Sequence, residues 1–252
     1  SNAKSLEGVV VTALGIVRQE KALGYSTTQV KGKDLVQSRS INVANGLTGK
    51  VAGLEIGTVN NGIFAPTRIT LRGNRSLTGN NQALIILDGA IYYNDISNLN
   101  PDDIESINVL KGSSAAAIYG SDASNGVLVI TTKKGISGKS RIDFSSYYGT
   151  TSATKILSVL NAKQYQAYAN EQKASNVITD SMVQANDINW PKEVFRNGNQ
   201  QNYQLSVSGG SEKTQHYISL NYQDQTGIIK PAKFDRLTGR VNITTKASNR
   251  LT

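Results

Sequence analysis

The chain is 252 residues long, with 27 Lys and Arg against 18 Asp and Glu for a net charge of +9, and it contains no Cys. That length suffices for one large domain or two modest ones, and the missing thiols exclude disulfides, thiolate metal sites and Cys nucleophiles. The basic residues are scattered, with Lys133-Lys134 the densest run; this argues against a nucleic-acid surface, where charge gathers in a patch or along a helix. Ser1-Asn2-Ala3 reads as the remnant of a cleaved tag. No signal peptide is visible, and no apolar stretch reaches the length of a membrane helix.

Composition changes near Gly135. Before it, short mixed segments dominate. Leu6 to Thr12 is a brief β-branched run ending near Gly15. Val43, Leu47 and Val51 share one face of a predicted helix over 42–50, and a strand is expected over 53–59. Arg68 to Arg72 alternates as a half-buried strand does. Ala83 to Leu87 is a continuous apolar strand, and Asp88-Gly89 is a hairpin signal leading into Ile91-Tyr92. Asp103 to Leu110 reads as a further strand. Ser113-Ser114 caps a short helix through Ala115-Ala116-Ala117 that Gly120 closes. Asn125-Gly126 then turns the chain into a strand over 127–132, completing a compact α+β domain.

After Gly135 the period becomes two. Ile142, Phe144 and Tyr148 alternate with Arg141, Asp143 and Ser145. Ile218, Leu220 and Tyr222 alternate with Tyr217, Ser219 and Asn221, and Leu237, Val241 and Ile243 with Arg236, Arg240 and Asn242. Each run has about the length of a tilted membrane strand, yet soluble antiparallel sheets alternate in the same way. The residues alone leave barrel and sandwich both open. Asn161 to Lys173 is expected to form a short helix inside an insertion.

Catalytic chemistry finds no support. The one His, His216, sits in an alternating strand with no Cys partner and no Gly-x-Ser-x-Gly elbow anywhere, so it reads as a polar side chain facing a barrel interior or an interface. One His and no Cys also leave no transition-metal site. Gly138-Lys139-Ser140 lacks the preceding Gly of a phosphate loop, where Lys133 stands instead, and there is no Gly-x-Gly-x-x-Gly stretch. Asp102 and Asp103 follow Pro101 as a capped turn rather than an acid–base pair. No enzyme, cofactor or metal is expected.

Several stretches, in order, resemble the plug of SusC/RagA-type TonB-dependent transporters. They are Leu6 to Gly15, Asn42-Val43-Ala44 with Leu47 to Leu54, Ile69 to Leu77, Ala83 to Gly89, Asn100 to Ile107, Val109 to Gly120, and Asn125 to Gly135. Trp190 to Arg196 and Leu205 to Gly210 look like the family's first barrel strands. Gly112 and Asp122 stand where the family more often has Asp and Arg, and Ala90-Ile91 replaces its usual Val-Pro. The resemblance implies an α+β plug, a small mixed sheet with short helices, followed by antiparallel strands of an incomplete outer-membrane β-barrel. Residues 1–5 would be tag remnant and linker, 6–15 the TonB box, 16–136 the plug, and 137–252 the first barrel strands.

By the same resemblance the chain would belong to an importer in the outer membrane of a Gram-negative, Bacteroidetes-like bacterium. Its substrate would be a glycan fragment or a peptide, its partners a SusD-like lipoprotein and the periplasmic C-terminal domain of TonB. The segment expected to contact TonB is Leu6, Glu7, Gly8, Val9, Val10, Val11 and Thr12. It is short, β-branched and uncharged after Glu7, suited to adding as a strand to a partner's sheet edge; the competing reading makes Val9 to Val11 the plug's first buried strand. Two other functions stay open: a soluble surface or periplasmic β-rich binding module, and a transporter with an added signalling role. Substrate-contacting residues are not legible, although the polar loop over 73–82 is a candidate for the lumen.

Overall fold

The computed structural model describes residues 9–11, 17–19, 27–37, 42–58, 63, 65–74, 76, 80–111, 115–116, 119–172, 178–185 and 187–246. The chain divides into two compact units. One comprises residues 1–145, 204–221 and 237–252, the other residues 146–203 and 222–236.

In the first unit, β1 (Val9–Val11) pairs antiparallel with β2 (Val17–Gln19) as a two-stranded ribbon. Then come β3 (Thr27–Lys31), α1 (Gly32–Gln37), α2 (Val43–Leu47), β4 (Leu54–Thr58), β5 (Thr67–Leu71), β6 (Leu84–Leu87), β7 (Ala90–Ile91), β8 (Ile104–Leu110) and β9 (Val127–Thr132). Five of these strands form a sheet in the order β3-β8-β9-β6-β7, while β4 and β5 pair separately. β6 runs parallel to β9, the other pairings being antiparallel.

Local chemistry explains the elements. Asn42 caps α2 by accepting a hydrogen bond from the Ala44 amide at 2.8 Å. The β6–β7 hairpin turns on Asp88 and Gly89, both at positive φ (50° and 92°), as a two-residue primed turn requires. Gly126 is needed as well: at φ 92° a Cβ there would collide with Leu71. β9 is buried along its whole length, which is why Val127 to Ile130 run apolar without alternation before Thr131 and Thr132. One face of the sheet packs Leu35, Val43, Leu47, Ile69, Ile107 and Leu128; the other packs Ile86, Leu110, Val127 and Val129 with Ala115 and Ala123. Each of the Val, Leu and Ile side chains contributes roughly 1.5–3 kcal/mol through burial.

Four long strands follow: β10 (Gly138–Thr151), β11 (Gly198–Gly210), β12 (Thr214–Thr226) and β13 (Lys233–Thr245), neighbours in that order. The α+β plug followed by antiparallel strands is thus the expected architecture. At about 3.3 Å per residue, a 13-residue strand is long enough to cross a bilayer when tilted by about 45°.

The second unit holds α3 (Ala162–Glu171), α4 (Asp180–Ala185) and α5 (Trp190–Val194). A capping box starts α3: the Gln164 amide donates to Asn161 Oδ1 at 2.8 Å, and the Asn161 amide donates to Gln164 Oε1 at 3.0 Å. Helix α5 corrects the expectation that Trp190 to Arg196 is a barrel strand. Asn189 caps it through the Lys192 amide, and Pro191 sits in its first turn, where its missing N–H costs nothing. Only Leu205 to Gly210, of the two stretches named, lies in a strand. The Arg196 guanidinium then donates to the carbonyls of Gly227 (3.0 Å) and Ala232 (2.7 Å), fastening the turn between β12 and β13.

Candidate functional site

Strand β12 displays the decisive pattern. Tyr217, Ser219, Asn221 and Gln223 are buried, whereas Ile218, Leu220 and Tyr222 between them are exposed. Leu220 is 51% exposed and Asn221, next to it, 1%. On β13 the apolar Leu237, Val241 and Ile243 are exposed too, as are Ile142 and Phe144 on β10. A water-soluble sheet buries its apolar side; β12 buries the polar one, β13 half-buries it, and both present the apolar side outward, the arrangement of an outer-membrane barrel wall.

Within the first unit, plug and strands meet through polar groups. Asn100 caps the 3-10 turn Pro101–Asp103 that leads into β8, accepting from the Asp102 amide at 3.2 Å. Asp103 is buried, and its carboxyl oxygens accept from Asn100 Nδ2 (3.2 Å), Gln204 Nε2 (3.1 Å) and the Tyr217 hydroxyl (3.0 Å). The capped-turn reading of Asp102 and Asp103 therefore holds. What the sequence did not disclose is that Asp103 reaches two strands more than a hundred residues away, a pairing no local pattern encodes. Asp88, at the tip of the β6–β7 hairpin, accepts from the Thr132 amide and hydroxyl and forms a 2.9 Å ion pair with Arg240 of β13. Gly135 lies so close to the His216 backbone that a Cβ would collide with it. That contact is with the His216 backbone; along β12 the His216 position falls on the face of Ile218 and Leu220, not on that of Tyr217 and Ser219.

A concavity of about 420 Å³ opens near the start of β6, lined by Asn80, Gln82, Tyr92, Tyr93, Asn94 and Asn125 among others. Tyr93 is 89% exposed. The Asn125 side chain donates to the Asn80 carbonyl at 2.7 Å, tying together the two loops that form the rim. Asn80 and Gln82 belong to the polar loop singled out from the sequence.

Of the segment expected to contact TonB, Val9, Val10 and Val11 form β1, paired with Gln19, Arg18 and Val17 respectively. Leu6, Glu7, Gly8 and Thr12 lie outside the described residues, as do Ser113, Ser114 and Ala117 of the short predicted helix. Ala115, Ala116 and Tyr119 are helical, and the Gly120 amide closes the turn on the Ala116 carbonyl at 2.9 Å. Among the described residues there is no cluster of metal-ligating side chains.

Residues 19–127 match the TonB-dependent receptor plug domain. The chain is 36% identical over 94% of its length to TonB-dependent receptor SusC of Bacteroides thetaiotaomicron. It is 32% identical, again over 94%, to a TonB-dependent receptor of Formosa agariphila. A chain of the RagAB peptide importer in its "open-open" state superposes with a TM-score of 0.83 at 28% identity, covering 96% of this chain and 31% of that one. The present chain spans about a quarter of the curated relatives' length, 24% and 23% respectively.

Proposed function

Because the chain belongs to the SusC/RagA type of TonB-dependent receptors, we propose that it forms the plug and first wall strands of an outer-membrane importer for a large nutrient. The observation that carries this reading is the inverted burial of β12, with polar Asn221 inside and apolar Leu220 outside. The three-residue turn over 211–213 serves as a periplasmic turn and the excursion over 152–197 as an extracellular loop, following the usual asymmetry of such barrels. The plug occupies the lumen, TonB pulls on it from the periplasm, and a SusD-like lipoprotein delivers the substrate.

The concavity rimmed by Asn80 and Asn125 is the plug's substrate contact. Its lining contains tyrosine rings and side-chain amides but one carboxylate, Asp122, and no cation. Rings offer an apolar platform and amides offer both donors and acceptors, a set that favours an uncharged oligosaccharide over a peptide with free termini. Replacing exposed Tyr93 with Ala in the whole receptor should weaken oligosaccharide binding without affecting assembly.

Energy coupling rests on Leu6 to Thr12. β1 pairs on one side with β2, which leaves its other edge for strand addition. Binding of the chain to the periplasmic domain of TonB, compared with a version that starts after Gly15, tests the assignment. Loss of binding in the shortened version is the expected result. Equal binding by both would refute this placement of the segment, and absence of TonB-dependent uptake by the whole receptor would refute the importer reading.

A further inference from the structure

Asp103 is a buried carboxyl group with no ion-pair partner among the described residues. Neutral donors satisfy it instead, and they come from two separate parts of the chain. Asn100 lies on the same turn, Gln204 on β11 and Tyr217 on β12, and all three are themselves buried. Asn100 Nδ2 also donates to Gln204 Oε1 at 2.9 Å, closing a ring of Asn100, Asp103 and Gln204 with Tyr217 bonded to its carboxyl corner. The Asp88–Arg240 ion pair lies at the same end of the plug sheet. The pairings Ile104↔Thr132 and Leu87↔Ile130 place the start of β8, the end of β9 and the β6–β7 tip side by side.

We propose that Asn100, Asp103, Gln204 and Tyr217 are an anchor that keeps the β8–β9 end of the plug on the barrel wall throughout a transport cycle, so that the passage opens elsewhere in the plug. Hydrogen bonds to a carboxylate are stronger than neutral ones. Pulling the plug away here would strip a buried acidic group of two of its donors, among the costliest separations available in a protein interior. By contrast, β3 is an edge strand that pairs only with β8, and no side chain of β3 donates to Asp103, so β3 can leave with the ring intact. The proposal rests on the importer reading and adds to it which part of the plug stays in place.

The test uses the whole receptor in outer membranes. In the Asp103→Asn, Tyr217→Phe double variant, hydrogen exchange should accelerate about tenfold or more in β8 and β9 while β4 and β5 stay near the unaltered rate. Tyr217→Phe alone should act in the same direction with a smaller effect. Unchanged exchange in β8 and β9, or equal acceleration throughout the plug, would overturn the anchor. A photo-crosslinking side chain at Gln204 supplies the second arm. Its adduct with residues 100–104 should form in equal yield with TonB energised or uncoupled; loss of the adduct on energising would show a latch that releases, and would overturn the proposal. A receptor with no TonB-dependent uptake would remove the importer reading yet leave the exchange result interpretable.

Discussion

The plug and the strands that follow it obey opposite rules of burial. In the plug, Ile107 and Leu128 are hidden and charged side chains such as Lys31 and Glu105 are exposed, the ordering that water imposes. On β12 and β13 the order is reversed, with Asn221 buried and Leu220, Val241 and Ile243 outside. One chain therefore shows two orders of burial, the plug's being that of a protein interior in water and the strands' that of a barrel wall whose outer solvent is lipid. Mean hydropathy over the whole chain, −0.32, does not register this, because it averages composition without regard to which face is buried.

The sharpest way to break the contrast is to make the same kind of change on each side. Ile107→Ala removes a fully buried side chain from the plug core and should cost about 2–5 kcal/mol in the urea unfolding of the plug. Leu220→Ala, on the outward face of β12, should change that unfolding by roughly 0.5 kcal/mol or less. Leu220→Arg separates the two solvents directly. In the whole receptor it should reduce insertion into bilayers by about 2–4 kcal/mol, read from folding titrations in lipid vesicles. An arginine tolerated there as well as in detergent would mean that this face never meets lipid.

How much of this was legible depends on the range of the interactions. Short-range signals sufficed for the Asp88-Gly89 hairpin, the Asn125-Gly126 turn into β9 and the helix that begins after Asn161, because each is decided by residues within a few positions. β3 and α1 carry no legible signal: Lys31, Lys33 and Asp34 interrupt any apolar period, and Val30 and Leu35 are the only large apolar side chains they bury. For Trp190 to Arg196 family likeness points to a strand, whereas Asn189 and Pro191 carry the local signature of the helix that forms over Trp190–Val194. The period-two runs were visible, but which face is buried was not, since alternation is the same for a soluble sheet and a barrel. Asp103 belongs to the same class. Its partners are Gln204 and Tyr217, and nothing near residue 103 reveals them.

A smaller effect concerns the excursion between β10 and β11. Asn161→Ala removes the side-chain half of the reciprocal cap on α3, the acceptor for the Gln164 amide, and should cost about 1 kcal/mol locally. Faster hydrogen exchange of the first-turn amides of α3, with plug and strand amides unchanged, is the expected signature. Exchange that rose throughout the plug instead would mean that the two units are more strongly coupled than separate compact units should be.

The smallest expected effect is a pH dependence confined to the plug. Burial acts to raise the pKa of Asp95, but hydrogen bonds from Ser97 and Thr67 outweigh it and hold the carboxyl below its ordinary value. Asp95 accepts from the Ser97 amide at 2.8 Å, and from the Thr67 amide and hydroxyl at 2.8 and 2.9 Å, linking the start of β5 to the 3-10 turn Ile96–Asn98. A folded-state value below the unfolded one means that the carboxylate stabilises the fold at every pH above the ordinary aspartate range. That contribution disappears only as the pH falls through the depressed value. Urea unfolding of Asp95→Asn beside the unaltered chain should therefore differ at pH 7 and converge in strong acid. Asp95 is partly solvated, which keeps the gap modest. A gap that persisted unchanged into strong acid would assign the stabilisation to the shape of the side chain rather than to its charge.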